Sequence, residues 1–227
     1  MGCDIHFYVE KKEAGKWVTA DKWSNPYSDD HKDVDSKDEF YGNRNYDLFA
    51  ILANVRNGYG FAGSPTGFGF VPICEPKGFP EDACEEVKEL CEHCGEHTPS
   101  WLTLKEILDY DWTQRTVKQC SVSAWQYFEW SRWRKGKGEE LPEEYCSWSS
   151  GDYITEAKME RLVEPYRKLQ YAEAEKELKK LDHKQNCYLL IEMPYHKLCQ
   201  NFWYNTIPRL LRLGNPEDVR AVFWFDS

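Results

Sequence analysis

The chain opens on Met1-Gly-Cys-Asp-Ile-His-Phe-Tyr-Val-Glu10, and this strict alternation restricts what the rest can build. At period two, Cys3, Ile5, Phe7 and Val9 share one face, and Asp4, His6, Tyr8 and Glu10 share the other. The first face is the inner side of a buried strand. The second aligns a carboxylate, an imidazole, a phenol and another carboxylate, the raw material of a polar site.

Such a strand needs a core to face, and 227 residues with 41% hydrophobic and 15% aromatic content, ten Trp among them, supply one. A net charge of −10 argues against a protein whose main task is gripping duplex nucleic acid. Nine Cys with no signal-peptide apolar region before them fit reduced thiols better than a disulfide framework. No apolar run approaches the roughly 20 residues of a membrane span. The expectation is a soluble, cytoplasmic protein with no membrane partner; oligomeric state, including a homo-oligomer, stays open.

Beyond a turn at 11–15, Lys16-Trp-Val-Thr19 fits a hairpin partner for the first strand. Residues 20–42 are acidic but lack the spacing and Gly of an EF-hand loop, so they suit a solvated loop. Asn45 can cap a helix carrying Leu48, Ile51, Leu52 and Val55, closed by Gly58. Arg44, Asn45 and Asp47 then surround a helix N-terminus, where capping and anion binding are equal readings. Gly58-Tyr-Gly-Phe-Ala-Gly63 matches G-x-G-x-x-G but follows a helix, the wrong context for a dinucleotide fold. The Gly-rich, aromatic stretch to Phe70 is either a lid over a ligand or a packed surface loop.

Residues 80–94 fit a helix with Cys84, Val87, Cys91 and Cys94 on one stripe. Cys91-x-x-Cys94-x-x-His97, with Cys84 nearby, has ligand types for zinc or another divalent metal, though buried thiols packing as small hydrophobes is the blander reading. Thr103-Leu-Lys-Glu106 is a capping box, which makes His97 to Trp101 the loop leading into a helix. A further helix runs from Ser121, residues 139–152 are linker-like, and Thr155 starts a helix that Pro165 should split. Asn186 to Met193 reads as a central strand, Asn205 to Leu213 as a short helix, and Val219 to Asp226 as a closing strand.

The fold expected is α+β in one domain over 1–227: a mixed sheet that includes the N- and C-terminal strands, packed by helices, with a mostly helical insertion or subdomain at 80–150. The first, penultimate and last strands should share that sheet, with Asp226 near the first.

With the opening segment, Arg44 to Leu52, Ser100 to Thr103 and Val222 to Asp226 in hand, the chain resembles an uncharacterised family carried by phages, prophages and some bacterial genomes, whose members open with Met-Gly-Cys-Asp-Ile-His. The Cys91 and Cys94 pair is not part of that pattern. The family has no settled activity; the resemblance implies a phage setting, in which small proteins often act on host defence by capturing or degrading nucleotide-type signals.

The leading functional expectation is a site for a small phosphate-containing, nucleotide-type ligand. Asp4, His6 and His97 would supply acid–base groups if it is catalytic. Tyr8, Glu10, Arg44, Asn45, Arg56, Ser100 and Trp101 would hold the ligand, by charge-assisted bonds and by stacking. The alternatives are a metal-assisted hydrolase or phosphodiesterase built on Asp4, His6 and His97, and a protein–protein adaptor in which the polar face of the first strand is only a structural network. With no activated nucleophile in the sequence, binding is favoured over cleavage, and enzyme or not stays undecided.

Overall fold

The computed structural model describes residues 2–24, 33–59, 69–91, 97–134, 151–182 and 184–226. In chain order the elements begin with β1 (Asp4–Glu13), β2 (Lys16–Thr19), β3 (Trp23–Ser24), β4 (Asp33–Val34), α1 (Tyr46–Ala53) and α2 (Glu85–Cys91). Next come β5 (His97–Thr103), α3 (Leu104–Asp109), β6 (Arg115–Ser123), α4 (Ala124–Arg134), β7 (Asp152–Tyr153) and α5 (Glu156–Val163). The chain closes with α6 (Tyr171–Leu178), β8 (Gln185–Pro194), α7 (Tyr195–Leu198), α8 (Ile207–Leu211) and β9 (Val219–Asp226). The fold is α+β, and it divides into two compact units, one of residues 1–116 with 193–227 and one of 117–192. Among the described residues no helix is long and apolar enough to cross a membrane.

The first unit is organised on a sheet of order β2-β1-β9-β5, antiparallel at each pairing. The two chain-terminal strands pair along their length, from Asp4↔Asp226 to Lys11↔Val219. β9 lies between β1 and β5, and Val219 to Phe225 are all buried. The alternation of β1 is honoured: Cys3, Ile5, Phe7 and Val9 join Ala221, Phe223 and Phe225 in one core, closed by Phe49, Leu52, Ile107 and Leu210 from α1, α3 and α8. Each large apolar side chain taken fully from water there contributes about 1.5–3 kcal/mol. On the opposite face Tyr8, Val222 and Trp224 pack with Val34, Val87 and Leu90. That second layer covers only part of the polar side of β1.

Local signals set the helix ends. Asn45 caps α1, its side chain accepting from the backbone N–H groups of Asp47 and Leu48. The helix ends sooner than Gly58 predicts, because Asn54 already takes the left-handed conformation (φ +57°). The Thr103–Glu106 capping box starts α3 as expected. What precedes it is not a loop but β5, paired to β9 with a bulge between His97 and Ser100. Thr98 within that bulge sits at φ +55°, a strained place for a β-branched residue.

The expected helix over 205–213 is α8, preceded by a π-helical turn at Phe202–Thr206. That turn aims Thr206 and Arg209 at the carbonyls of Glu39 and Phe40.

The second unit has a three-stranded sheet of order β6-β8-β7 and the helices α4, α5 and α6. α5 ends at Val163, and Pro165 opens a 3₁₀ turn at Glu164–Lys168, as a ring that clashes with the preceding turn requires. Arg167 ties the unit together through Glu160 and the Ser131 hydroxyl, at 3.1 and 2.8 Å. β8 does not join the sheet of β1 and β9. Cys187, Leu189, Ile191 and Met193 are buried while Tyr188, Leu190 and Glu192 are exposed, so its apolar run serves a one-sided sheet.

Candidate functional site

The polar face of β1 splits into two halves with different physics. At the inner half Glu10 is fully buried. Its Oε2 accepts from Arg220 Nε at 2.6 Å and its Oε1 from the Cys84 backbone N–H at 2.6 Å. Arg220 also donates to Asp82 Oδ1 at 2.8 Å, with its guanidinium 4.1 Å above the Trp17 ring. Tyr8, stacked between Trp23 and Trp224 at 5.4 and 5.2 Å, donates its hydroxyl to Asp33 at 3.2 Å. Burial pushes the Tyr8 phenol far above its ordinary range, with Asp33 adding to it, so it is a fixed donor and not an acid. These contacts hold the strand in place, although Arg220 Nη2 makes no hydrogen bond among the described residues; the buried Glu10 is scaffold, and Tyr8 is fixed by its two indole neighbours and by Asp33.

The outer half is different. Asp4 and Arg44 are 50% and 48% exposed, and His6 and Asp226 are 34% and 48% exposed. Arg44 grips Asp4 with a two-pronged bond, Nε donating to Oδ1 at 2.6 Å and Nη2 donating to Oδ2. Those bonds hold the Asp4 carboxyl below its ordinary range against a smaller opposing effect of burial. Gly2 lets the guanidinium lie on the chain, since a Cβ there would sit 2.6 Å from Arg44 Nη1.

Asp226, directly across from Asp4 in the ladder, accepts the Asp4 backbone N–H at 3.0 Å and lies 3.3 Å from His6 Nε2. The His6 ring stacks on Trp224 with centroids 5.8 Å apart. Arg56 reaches the same end of β1 from the turn after α1, its Nη2 donating to the Gly2 carbonyl at 3.5 Å from a left-handed backbone (φ +56°).

Several expected members stand elsewhere. His97 stacks on Phe225, whereas His6 stacks on Trp224. Successive residues of a strand point to opposite faces, so the two imidazoles lie on opposite sides of β9. Asn45 is consumed by its cap and by a bond from its Nδ2 to the Leu198 carbonyl at 2.9 Å. The α1 N-terminus is therefore a capped end, not an anion seat. Ser100 is fully buried, its hydroxyl accepting from the Lys77 backbone N–H at 3.1 Å. The Lys77 ammonium covers the Trp101 ring at 4.0 Å, so that indole already has a stacking partner.

Cys84 lies buried at the start of α2, where burial pushes its thiol up to about 12. Such a thiol is a packing group more than a metal-ligating thiolate. Among the described residues no three His, Cys, Asp or Glu side chains are grouped to hold a metal ion, Asp4, His6 and His97 included. Cys94, the other half of the C-x-x-C motif, and most of the Gly-rich stretch, 60–68, lie outside the described residues.

Asp33 and Glu39 border the site without a sequence motif to announce them. Both come from the acidic 20–42 stretch: Asp33 accepts the Tyr8 hydroxyl, and Glu39 lines the same cavity beside His6. Comparison with known proteins gave no match to a family model, a curated protein or a solved structure.

Proposed function

We propose that the outer half of the β1 polar face binds a small phosphate-bearing, nucleotide-type ligand, with capture rather than cleavage as its main act. What supports this most is the exposed pair of Asp4, on β1, with Arg44, just before α1, at the end of a strand whose middle positions, Phe7 to Glu10, are buried. The pair is half exposed and screened by water, so a phosphate can compete with Asp4 for the fork of Arg44. Arg56 adds a second guanidinium at the same end of the strand. In the phage setting implied by the resemblance of the opening segment, such a protein would counter host defence by withdrawing a signalling nucleotide.

The His6–Asp226 pair favours one second reading, hydrolysis. A proton on Nε2 facing Asp226 would leave Nδ1 as the base, so the orienting carboxylate is Asp226 and not Asp4.

A thermal shift against inorganic phosphate and a panel of linear and cyclic nucleotides, followed by chromatography of the ligand, tests both readings. Capture predicts stabilisation of about 2.7 kcal/mol at a hundredfold excess over Kd, the ligand recovered intact, and loss of the effect in Arg44→Ala. Ligand loss that His6→Ala abolishes would establish hydrolysis instead. No shift with any phosphate compound overturns the ligand site and leaves a protein-binding role.

A further inference from the structure

A cavity of about 210 Å³ opens beside His6, lined also by Tyr8, Asp33, Val34, Glu39 and Gly42. Its polar walls are the Asp33 and Glu39 carboxylates, the His6 imidazole and the Tyr8 and Tyr41 phenols; Tyr8 gives its hydrogen to Asp33 Oδ1, which also accepts the Val34 N–H at 2.7 Å. Asp33 is thus already supplied, and the Glu39 carboxylate is the wall group with no hydrogen-bond donor among the described residues.

Glu39 is held at this wall by three separate devices. Arg209 Nη1 donates to the Glu39 and Phe40 carbonyls at 2.7 and 3.2 Å, and Nη2 donates to the Asp38 carbonyl at 3.1 Å. The Thr206 hydroxyl donates to the Phe40 carbonyl at 2.9 Å. Gly42 leaves room for the carboxylate itself, because a Cβ there would sit 2.0 Å from Glu39 Oε2. Burial and the neighbouring Asp33 push the Glu39 carboxyl above its ordinary range, while His6 pulls the other way. A residue on an acidic surface loop has no need of that much fixing, or of a partly dehydrated carboxylate beside an imidazole.

We infer that Glu39, with Asp33, forms a specificity pocket for a nitrogen hydrogen-bond donor group, an amino or amidine-type edge carried by the same ligand whose phosphate engages Arg44. A carboxylate pairs with two parallel N–H groups by the same geometry that makes the guanidinium fork of arginine its best partner. The volume, room for about seven waters at roughly 30 Å³ each, admits one small planar group with water beside it. The inference rests on the ligand reading above for the phosphate end alone; the donor pocket stands on its own walls.

The test titrates methylguanidinium and, separately, inorganic phosphate into the full chain by calorimetry, at millimolar concentrations. Wild type should bind methylguanidinium at least tenfold more tightly than Glu39→Gln, which keeps the side chain's shape and removes its charge. Gly42→Ala, which displaces the carboxylate without changing it, should weaken binding in the same direction, and Arg44→Ala should leave it unaltered. Equal affinity in wild type and Glu39→Gln, or no binding to a folded wild type, overturns the pocket whatever phosphate does. Binding of methylguanidinium with none of phosphate keeps the pocket and removes the phosphate reading.

Discussion

Glu10 and Asp4 are both carboxylates on one face of one strand, and their surroundings give them opposite roles. Glu10 is buried against Arg220, so removing either partner strands a charge away from water. Glu10→Ala should cost about 3–5 kcal/mol in urea unfolding, while Glu10→Met with Arg220→Met should come much closer to wild type. A small loss in the single variant would show that the pair is not dry.

Asp21 makes a pH prediction. Burial raises its carboxyl to about 7, although the Val9 N–H that it accepts at 2.6 Å opposes the shift. Arg209 also opposes it, and Glu10 and Glu39 reinforce it. A folded-state pKa above the unfolded value of about 3.9 means that the native state binds the extra proton between those limits. Stability from this group is thus present in full below about pH 4 and is lost as pH rises toward 7. Asp21→Asn should flatten that part of the stability–pH curve, measured by urea midpoints from pH 4 to 8; an unaltered slope would contradict it.

Among elements, those marked by short-range signals were legible in the sequence. The alternation of β1, the capping box before α3, the Asn45 cap and the break at Pro165 each depend on residues a few positions apart. What the sequence leaves open depends on partners far along the chain or on which side of a strand meets water. Asn45 looked equally like a cap and an anion ligand until its Oδ1 and Nδ2 were both found occupied. Nothing near Glu10 announces Arg220, 210 residues on, and nothing in Ser100 and Trp101 says that they lie in a strand beneath Lys77. β8 pairs in a different sheet from the one its apolar run predicts, because Tyr188 and Leu190 are apolar enough to hide its exposed face from a hydropathy pattern.

Two substitutions test the elements directly. Asn45→Ala should destabilise by about 1 kcal/mol in chemical denaturation with no effect on ligand binding. Loss of binding with intact stability would return Asn45 to the site. Thr98→Gly should stabilise by about 1 kcal/mol, since the left-handed backbone at the β5 bulge then carries no Cβ. A destabilised variant would mean that the Thr98 hydroxyl, 2.9 Å from His97 Nδ1, outweighs that strain.

At the scale of the whole molecule, the α+β class and the pairing of the two terminal strands follow from the apolar first and last segments. The division at 117–192 had no such marker, because its boundaries fall inside strands rather than in a Gly- or Pro-rich linker. The terminal pairing also makes the first unit depend on the last residues it contains. Ending the chain before Val219 removes a strand buried on both faces and should abolish the first unit's cooperative unfolding, followed by circular dichroism. Retained cooperativity would show that the sheet survives without its centre.

β1 carries scaffold at its buried inner half, Glu10, and the proposed ligand site gathers its Asp4 and His6 with Arg44 from just before α1. Calorimetric titration of the nucleotide that stabilises wild type most, into wild type, Arg44→Ala and Asn45→Ala, tests it most directly. Arg44→Ala should lose at least tenfold in affinity at unchanged stability, while Asn45→Ala should lose stability and keep its affinity. Binding that survives Arg44→Ala and fails in Asn45→Ala would contradict it.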